Sequence, residues 1–313
     1  MSAKIAFLFP GQGSQVVGMG RDLVDEFAEA KSIFEETDSV CGRPVSRLCF
    51  EGPLEELTLT VNLQPAVTAV NLACLAALRR SRVAPWVSAG HSLGEYAALV
   101  SAGVLSESDA LALANKRGEL MHRESLRNPG SMSAVVGLAA ADVEEIVSQT
   151  GQEGVLAVAN YNTAQQIVIT GEKKSVDRAS DLVKRKGGKA IPLAVSGAWH
   201  SPLMKDAVEE LRDFMEGIPF SRPQSSMIFN ATAEVENDPA KIKDMMAHQL
   251  IRPVRWHEIL LRMLQDGVDT FVEVGPKNVL AGLLKKTLPR DSRARTYNVG
   301  DLKGLRLFLE GVG

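Results

Sequence analysis

The residues best suited to chemistry lie in Gly90-His91-Ser92-Leu93-Gly94, which has the pattern Gly-x-Ser-x-Gly. Residues 86–89 form an apolar run typical of a strand, and residues 95–102 form an alanine-rich run typical of a helix. A serine on a sharp strand-to-helix turn stands clear of the sheet, so its hydroxyl can attack a substrate. Glycines are expected where the strand and helix backbones approach too closely for a Cβ atom. We therefore predict that Ser92 is a nucleophile; the alternative is a chance match, because the pattern fixes only three positions.

A serine nucleophile needs a general base whose pKa lies near the working pH, and histidine meets this requirement. The chain has five histidines. His91 adjoins Ser92 and should point to the opposite face of an extended strand. Three other histidines lie on predicted helices or at their ends, where surface or capping roles suffice: His122, His248 and His257. His200 lies in a glycine-containing loop before a helix, and such loops often carry catalytic side chains. Elimination therefore favours His200 as the base; the alternative is a loop histidine that packs against Trp199.

The acidic member of a Ser-His-Asp triad is missing from this pattern. No aspartate between Ser92 and His200 stands out as a partner for the histidine. A weaker arrangement suits an activated ester or thioester, because a thiol with a pKa of about 8.5 leaves far more easily than an amine. The sequence therefore favours an activated acyl substrate.

Length and composition indicate a large globular protein. The 313 residues suffice for one large domain or a domain with an insert, and 45% hydrophobic with 23% charged residues is ordinary for a soluble chain. With 35 basic and 38 acidic residues the formal net charge is −3, which gives no general attraction to nucleic acid. The basic clusters Arg79-Arg80-Ser81-Arg82 and Lys184-Arg185-Lys186 are interpreted as solvated helix ends, with docking of an acidic partner as the alternative.

Cysteine usage and apolar runs bear on location. Cys41, Cys49 and Cys74 include no Cys-x-x-Cys pair, so we expect neither a zinc site nor a disulfide framework. The apolar run of residues 5–9 is too short for a signal peptide, and no apolar run approaches the roughly 18 residues of a membrane span. We predict a cytoplasmic protein that binds no membrane.

The N-terminal stretch predicts a short strand over residues 4–9 that ends at Pro10-Gly11-Gln12-Gly13-Ser14-Gln15. The spacing matches neither the dinucleotide-binding fingerprint nor a P-loop. The loop either turns its backbone N–H groups toward a site at the sheet edge or is a tight turn with positive φ at its glycines. The residues alone slightly favour the turn.

Periodicity predicts an inserted α+β subdomain. Residues 132–193 give the order β-α-β-β-α-β, which is typical of ferredoxin-like folds. The strands are predicted at 132–137, 155–160, 166–170 and 189–193, and the helices at 140–150 and 175–186. We place this subdomain at residues 128–194, with residues 1–127 and 195–313 forming the core.

Outside the insert, strands alternate with helices, which predicts an α/β fold with a mostly parallel sheet. The helix predicted at 64–80 is apolar nearly all round and should be largely buried. Further helices are predicted at 22–37, from 106 to about 122 with a capping signal at Ser106, from 202, at 239–250, at 256–266 and from Gly275-Pro276. Further strands are predicted at 227–230, 270–274 and 296–299.

Five motifs together resemble those of malonyl-CoA:acyl-carrier-protein transacylases and occur in the same order. They are Pro10-Gly11-Gln12-Gly13-Ser14-Gln15, Gly90-His91-Ser92-Leu93-Gly94-Glu95, Lys116-Arg117-Gly118-Glu119-Leu120-Met121, Trp199-His200-Ser201 and Glu273-Val274-Gly275-Pro276. The chain is also similar to the acyltransferase domains of polyketide synthases, and the match runs from residue 5 to about residue 288. The resemblance implies an α/β-hydrolase-like core with a ferredoxin-like insert, in agreement with the predicted element order.

The resemblance also implies roles in the acyl-transfer step. Ser92 would be the acylated nucleophile and His200 its base. The backbone N–H groups of Gln12 and Leu93 would form the oxyanion hole, which makes the glycine-containing loop part of the site. Family members orient the histidine with a backbone carbonyl, and the matching residue is Gln249.

Substrate selection is implied at further positions. Arg117 would bind the free carboxylate of a malonyl group through two parallel hydrogen bonds, and an acetyl or fatty acyl group would leave its charge unpaired. Gln64 and Met121 match residues that line the acyl pocket. Trp199 precedes the histidine at a position that influences the choice between malonyl and methylmalonyl, and we expect it to crowd an α-methyl branch.

The resemblance implies a ping-pong reaction in fatty acid or polyketide biosynthesis. Ser92 takes the malonyl group from malonyl-CoA, CoA leaves, and the phosphopantetheine thiol of acyl carrier protein then takes the group from Ser92. The reaction implies no metal and no redox cofactor. We predict a monomer, and either the cluster at 184–186 or the cluster at 79–82 is a candidate for docking the acidic carrier, as the alternative to solvated helix ends. A serine acyl-hydrolase or thioesterase would share Ser92 and His200 without a strict need for Arg117, and a non-catalytic carrier-binding subunit would need none of these side chains.

Overall fold

The computed structural model describes residues 4–312 and contains two β-sheets with helices packed around them. The strands are β1 (Ile5–Phe9), β2 (Val87–Gly90), β3 (Ser131–Val136), β4 (Leu156–Thr163), β5 (Gln166–Gly171), β6 (Lys189–Pro192), β7 (Ser226–Met227), β8 (Thr270–Val274) and β9 (Arg295–Val299). The helices are α1 (Arg21–Glu26), α2 (Ala28–Cys41), α3 (Val45–Glu51), α4 (Leu54–Thr58), α5 (Thr60–Arg80), α6 (Glu95–Ser101), α7 (Glu107–Arg127), α8 (Ala140–Thr150), α9 (Lys173–Arg185), α10 (Asp206–Glu216), α11 (Pro239–His248), α12 (Trp256–Gln265), α13 (Val279–Thr287) and α14 (Leu302–Val312). The predicted α/β class is confirmed.

The larger sheet is parallel, in the order β7-β2-β1-β8-β9, and it separates two hydrophobic cores. Successive residues of a strand point to opposite faces, so Phe7 and Phe9 enter one core while Ala6 and Leu8 enter the other. Burial on both faces explains why the β1 sequence is apolar without alternation. In the register, Phe9 pairs with Gly90, so the loops that follow β1 and β2 leave the same edge of the sheet.

The smaller sheet is antiparallel, in the order β4-β5-β3-β6, with α8 and α9 packed against it. The element order from β3 to β6 is the β-α-β-β-α-β order predicted from the sequence. This unit has a hydrophobic core of its own that includes Val135, Ile146, Ile167 and Val176. The precise limits of the insert, 128 and 194, remain a prediction.

Helix α5 begins a full turn earlier than predicted, at Thr60 instead of residue 64, with Pro65 inside it. A proline has no N–H for the carbonyl four residues earlier, which here belongs to Val61. The guanidinium of Arg43 satisfies that carbonyl, with Nη2 2.6 Å from Val61 O. This contact with a distant part of the chain lets the helix continue through the proline.

The length and composition of α5 would allow it to cross a membrane, contrary to the expectation from the sequence. Within its most apolar 18-residue window, however, 89% of the residues are buried inside the protein. The helix packs against α2 and α7. Its apolar surface is therefore that of a core helix.

Other differences concern where elements begin and end. The helix predicted at 22–37 is divided by Phe27, whose backbone is extended, into α1 and α2. The predicted cap is confirmed, since Ser106 Oγ accepts the Asp109 N–H at 3.0 Å, but α7 continues to Arg127. The helix predicted from Pro276 begins later, at Val279. Strand β7 is only two residues long, and the chain beyond it leads to Asn230.

Candidate active site

Ser92 lies on a turn between β2 and α6, as a nucleophile elbow requires. Its backbone is left-handed, with φ 51°, and a single 3-10 turn, Ser92–Gly94, leads into α6. A Cβ atom on Gly90 would lie 1.9 Å from the carbonyl carbon of Gly94, and a Cβ atom on Gly94 would lie 1.9 Å from the carbonyl oxygen of Phe9. The two glycines are needed because the backbones touch here, and the strained φ of Ser92 is the kind of outlier found at functional sites.

Asn230 braces this turn, and sequence reasoning missed it. Its Oδ1 accepts the Ser92 N–H at 2.6 Å, and its Nδ2 donates to the Gly90 carbonyl at 2.6 Å. The side chain therefore satisfies backbone groups on both sides of His91. The only available signal was its place at the end of a predicted strand, where polar side chains reach the sheet edge.

Ser92 and His200 form a hydrogen-bonded pair, with Oγ 2.7 Å from Nε2. The other ring nitrogen, Nδ1, lies 3.0 Å from the Gln249 carbonyl oxygen and 2.9 Å from that of Arg252. Carbonyls only accept, so Nδ1 carries the proton and Nε2 is free to accept the serine proton. Two carbonyls thus orient the imidazole where a triad would use aspartate. The Arg252 carbonyl was missed, because any residue type supplies one.

The imidazole of His200 is held in its neutral form. Burial, and then the positive charge of Arg117, lower the pKa of His200 to about 3. The two carbonyls oppose this shift because they favour the protonated ring. At neutral pH the ring is therefore ready to take a proton from Ser92. His200 also has a left-handed backbone, with φ 57°.

Arg117, on α7, is only 1% exposed, and among residues 4–312 its hydrogen-bond partners are all neutral. Its Nε and Nη2 donate to Gln249 Oε1 at 3.2 and 2.8 Å, and Nη1 donates to Gln64 Oε1 at 2.8 Å. Nη2 also donates to the hydroxyl oxygen of Ser92 at 3.1 Å. A buried cation beside a nucleophile, with neutral partners only, is a site for an anionic group on the substrate.

Gln64, on α5, contacts Arg117 and is itself oriented by Met121. Gln64 Nε2 donates to Met121 Sδ at 3.1 Å, which leaves the amide oxygen of Gln64 directed to Arg117. Met121 is one helical turn beyond Arg117 on α7, so both lie on the same face. The structure thus brings Gln64 to the guanidinium, and Met121 lines the same pocket as Arg117.

Gln12 and Leu93 line a pocket over the Ser92–His200 pair, together with residues of the insert and of the loop before His200: Met132, Asn160, Leu193, Val195 and Trp199. Within the described part of the chain, neither the Gln12 nor the Leu93 backbone N–H donates a hydrogen bond to a protein group. The predicted turn is also present, with Gly13 at φ 103°. The structure thus brings all the predicted site residues to one place; their roles remain proposals.

His91, which we did not select as the base, pairs away from Ser92. Its Nε2 is 2.9 Å from Asn162 Oδ1 on β4, and its ring packs edge-on against Trp256. Burial lowers its pKa, so this ring too is neutral at neutral pH. His91 therefore ties the elbow to the inserted sheet.

Comparison with known proteins identifies relatives along nearly the whole chain. The family model described as "Acyl transferase domain" matches residues 6–306. The malonyl CoA-acyl carrier protein transacylase of Bacillus subtilis strain 168 is 43% identical over 310 residues, which are 98% of this chain and 97% of the relative. An acyl carrier protein S-malonyltransferase from Vibrio cholerae superposes with a TM-score of 0.93 at 38% identity, covering 98% of this chain and 100% of that one. A malonyl-transacylase solved in complex with a type II polyketide synthase acyl carrier protein gives a TM-score of 0.93 at 36% identity, covering 99% and 100%.

Proposed function

This chain belongs to the acyl transferase family, and we propose that it transfers a malonyl group from malonyl-CoA to acyl carrier protein through an ester on Ser92. Relatives named for this reaction match nearly end to end. One observation of the site carries the proposal: the guanidinium of Arg117 lies within hydrogen-bond distance, 3.1 Å, of the nucleophilic oxygen. A carboxylate-binding group at that distance selects an acyl chain that ends in a carboxylate.

In the first half-reaction, Ser92 Oγ attacks the thioester carbonyl of malonyl-CoA while His200 Nε2 takes the hydroxyl proton. The imidazolium that forms keeps its Nδ1–H on the two backbone carbonyls. The N–H groups of Gln12 and Leu93 donate hydrogen bonds to the negatively charged oxygen of the former carbonyl. Each such donor stabilises the transition state by about 3–4 kcal/mol. When the tetrahedral intermediate collapses, the C–S bond breaks and CoA leaves with the proton from His200.

In the second half-reaction, the phosphopantetheine thiol of acyl carrier protein attacks the malonyl ester on Ser92. His200 takes the thiol proton and returns it to Ser92 Oγ as the C–O bond breaks, which regenerates the hydroxyl. One histidine thus serves both halves without a change of position. No step needs a metal or a redox group.

The contacts of Arg117 define how the malonyl carboxylate binds. Gln249 occupies the Nε and Nη2 side of the guanidinium, and Gln64 takes one N–H of Nη1. Two donors remain for a carboxylate: the second N–H of Nη1 and the N–H of Nη2 that now reaches Ser92. In the complex with malonyl-CoA, the carboxylate competes with Ser92 Oγ for the Nη2 donor. Acylation then converts Oγ into a weakly accepting ester oxygen, which leaves that donor to the carboxylate.

Malonyl binding also adjusts the base. The charge of Arg117 is one cause of the low pKa of His200. A bound carboxylate offsets that charge, so the pKa of His200 rises and the ring becomes a stronger base. An acetyl group brings no such charge, so the selection for malonyl acts on the rate of proton transfer as well as on binding.

The chain acts on acyl carrier protein, and we propose that the basic clusters at its surface dock that acidic protein. Neighbouring acids already pair with part of each cluster: Arg80 with Glu29 at 3.0 Å, and Lys184 with Asp181 at 3.1 Å. Arg82 and Arg185 are exposed, which favours them as carrier contacts. We further propose a cytoplasmic monomer that binds neither nucleic acid nor membrane.

The test is the intact mass of the purified protein after brief mixing with malonyl-CoA, and again after addition of phosphopantetheinylated carrier. We expect a malonyl-sized gain that Ser92→Ala abolishes and that passes to the carrier. A gain that decays at the same rate without the carrier would instead identify a serine acyl-hydrolase. A gain with acetyl-CoA but none with malonyl-CoA would exclude the carboxylate role of Arg117.

A further inference from the structure

Glu95 is a buried acid that the mechanism above does not use. It is the first residue of α6, three positions beyond the nucleophile, and only 2% of its surface is exposed. One carboxylate oxygen accepts the backbone N–H of Asn230 at 2.7 Å, and the other accepts Nε2 of Gln249. Burial of a carboxylate costs free energy unless hydrogen bonds or an opposite charge compensate for the lost water.

The contact with Gln249 determines which way the amide of Gln249 faces. The Nε2 group donates to Glu95 and, at 2.9 Å, to the backbone carbonyl of Ser92. The Oε1 atom accepts two N–H groups of Arg117, at 3.2 and 2.8 Å. If the amide turned by half a rotation, its N–H groups would face the guanidinium and its oxygen would face the carboxylate. Both new contacts would be repulsive, so the charges of Glu95 and Arg117 together fix the amide.

We propose that Glu95 is a positioning residue for malonyl recognition, and that it acts through the side-chain amide of Gln249 to hold Arg117 in its carboxylate-binding orientation. The inference rests on the proposed function, because it assigns Glu95 a part in the selection of malonyl. With Oε1 of Gln249 fixed on the Nε and Nη2 side, the remaining donors of Arg117 face the acyl pocket. Glu95 itself touches neither the substrate nor the reacting atoms.

Electrostatics support a direct link between the two charged groups. Burial raises the pKa of Glu95 and lowers that of Arg117, and the charge of each group partly opposes this shift in the other. In its ionised form, which predominates above pH about 7, Glu95 thus supplies a buried negative charge close to a cation whose hydrogen-bond partners are neutral. Gln249 separates the two, which leaves the guanidinium available to a substrate carboxylate.

The variant Glu95→Gln tests this inference. Because the Asn230 N–H is fixed in the backbone, the new amide keeps its oxygen there and turns its NH2 group toward Nε2 of Gln249. Two donors then face each other, Gln249 turns, and Arg117 loses its support. We expect kcat/KM for malonyl-CoA to fall by about tenfold or more, mainly through KM, because hydrogen bonds to charged groups are lost. With acetyl-CoA, which makes no carboxylate contact, the change should be much smaller, so the malonyl-to-acetyl ratio falls.

A matched control is available in another buried glutamate, Glu273. Burial raises the pKa of both carboxyls to about 7, but Glu273 accepts the backbone N–H groups of Leu280 and Ala281 and does not contact Gln249. Glu273→Gln should leave the malonyl-to-acetyl ratio unchanged. Thermal unfolding of both variants measures how much stability the protein loses when any buried carboxylate is replaced.

A double-mutant cycle separates the proposed route from a structural one. Gln249→Met keeps the volume and removes the amide, and we expect Glu95→Gln to cause no further loss of the ratio in that background. Equal loss of kcat/KM with both donors would mean that Glu95 only braces the elbow through Asn230, and it would overturn the inference. Additive losses in the cycle would overturn it as well. Absence of malonylation in the unsubstituted protein would instead refute the proposed function.

Discussion

Replacement of Arg117 is the sharpest test of how this site selects its acyl group. The two donors left for a carboxylate are both on this guanidinium, and one of them now reaches Ser92 Oγ at 3.1 Å. Arg117→Lys keeps the charge but loses the planar fork, so it removes at least one charge-assisted hydrogen bond. At about 1.5–3 kcal/mol for such a bond, kcat/KM for malonyl-CoA should fall about 10-fold to about 150-fold. Arg117→Ala removes the whole charge pair, and a cost of about 2–5 kcal/mol corresponds to about 30-fold to about 5,000-fold.

The assay follows acylation of Ser92 by intact mass under single-turnover conditions, with malonyl-CoA and acetyl-CoA as alternative donors. The quantity of interest is the ratio of the two rates, because it cancels damage that affects both donors equally. Arg127→Ala is the control, since Arg127 lies on the same helix with 61% of its side chain exposed and only a 3.6 Å ion pair to Glu124. We expect this control to leave the ratio unchanged.

Equal slowing with both donors would contradict this role of Arg117. If Arg117→Lys and Arg117→Ala slowed acylation from malonyl-CoA and acetyl-CoA by the same factor, the arginine would act only as a support for Ser92, Gln64 and Gln249. The carboxylate contact would then contribute nothing to selection. The low pKa of His200 would still be explained by burial, but its adjustment by the substrate would not follow.

Three further predictions come from the same geometry. With acetyl-CoA as donor, the acylation rate should stay constant as the pH falls from about 8 to about 5, because the pKa of His200 is about 3 and only the neutral ring is a base. Arg117→Ala raises that pKa, so the rate should begin to fall at a higher pH. A fall in rate near the usual histidine pKa in the unsubstituted protein would contradict this prediction. Gly94→Ala should lower the free energy of unfolding by about 1–3 kcal/mol or more and abolish acylation, because the new Cβ would lie 1.9 Å from Phe9 O. The control Gly282→Ala meets nothing within 4 Å and should not destabilise the protein, which thermal unfolding can check. Trp199→Ala should raise the rate with methylmalonyl-CoA relative to malonyl-CoA by about tenfold, since this indole lines the pocket; equal rates with both donors in the unsubstituted protein would exclude crowding by Trp199.

The features that were predictable from sequence are those fixed by local rules. The elbow is local because Gly90 and Gly94 must lack side chains wherever strand and helix backbones touch. The inserted sheet was predictable because its strands and helices differ in the period of their apolar residues. Helix α5 shows the limit of such rules. A proline near its start suggests a helix boundary, but Arg43 satisfies the carbonyl that Pro65 cannot, and no local pattern reveals that contact.

The unpredicted parts of the site are long-range contacts through groups that leave little trace in a sequence. Arg252 orients the base with a carbonyl, which every residue has. Gln249 was expected to act through its backbone, yet its side chain also joins Glu95 to Arg117. Asn230 reaches an elbow 138 residues earlier in the chain. Such residues can be found only when the folded sheet brings the two segments together.

The order of these segments in the chain explains how one site holds a strained nucleophile beside a cation whose hydrogen-bond partners are neutral. Ser92, Glu95 and Arg117 precede the inserted subdomain in the chain, whereas Asn230 and Gln249 follow it. Each bond between the two groups closes a long loop, so it forms only in the complete fold and holds a geometry that neither segment would keep alone. Among the described residues Arg117 then has only neutral hydrogen-bond partners, and the donors that they leave free lie on the side of the acyl pocket. A malonyl group brings a carboxylate to these donors and an acetyl group does not, so the proposed substrate completes the hydrogen bonding of Arg117.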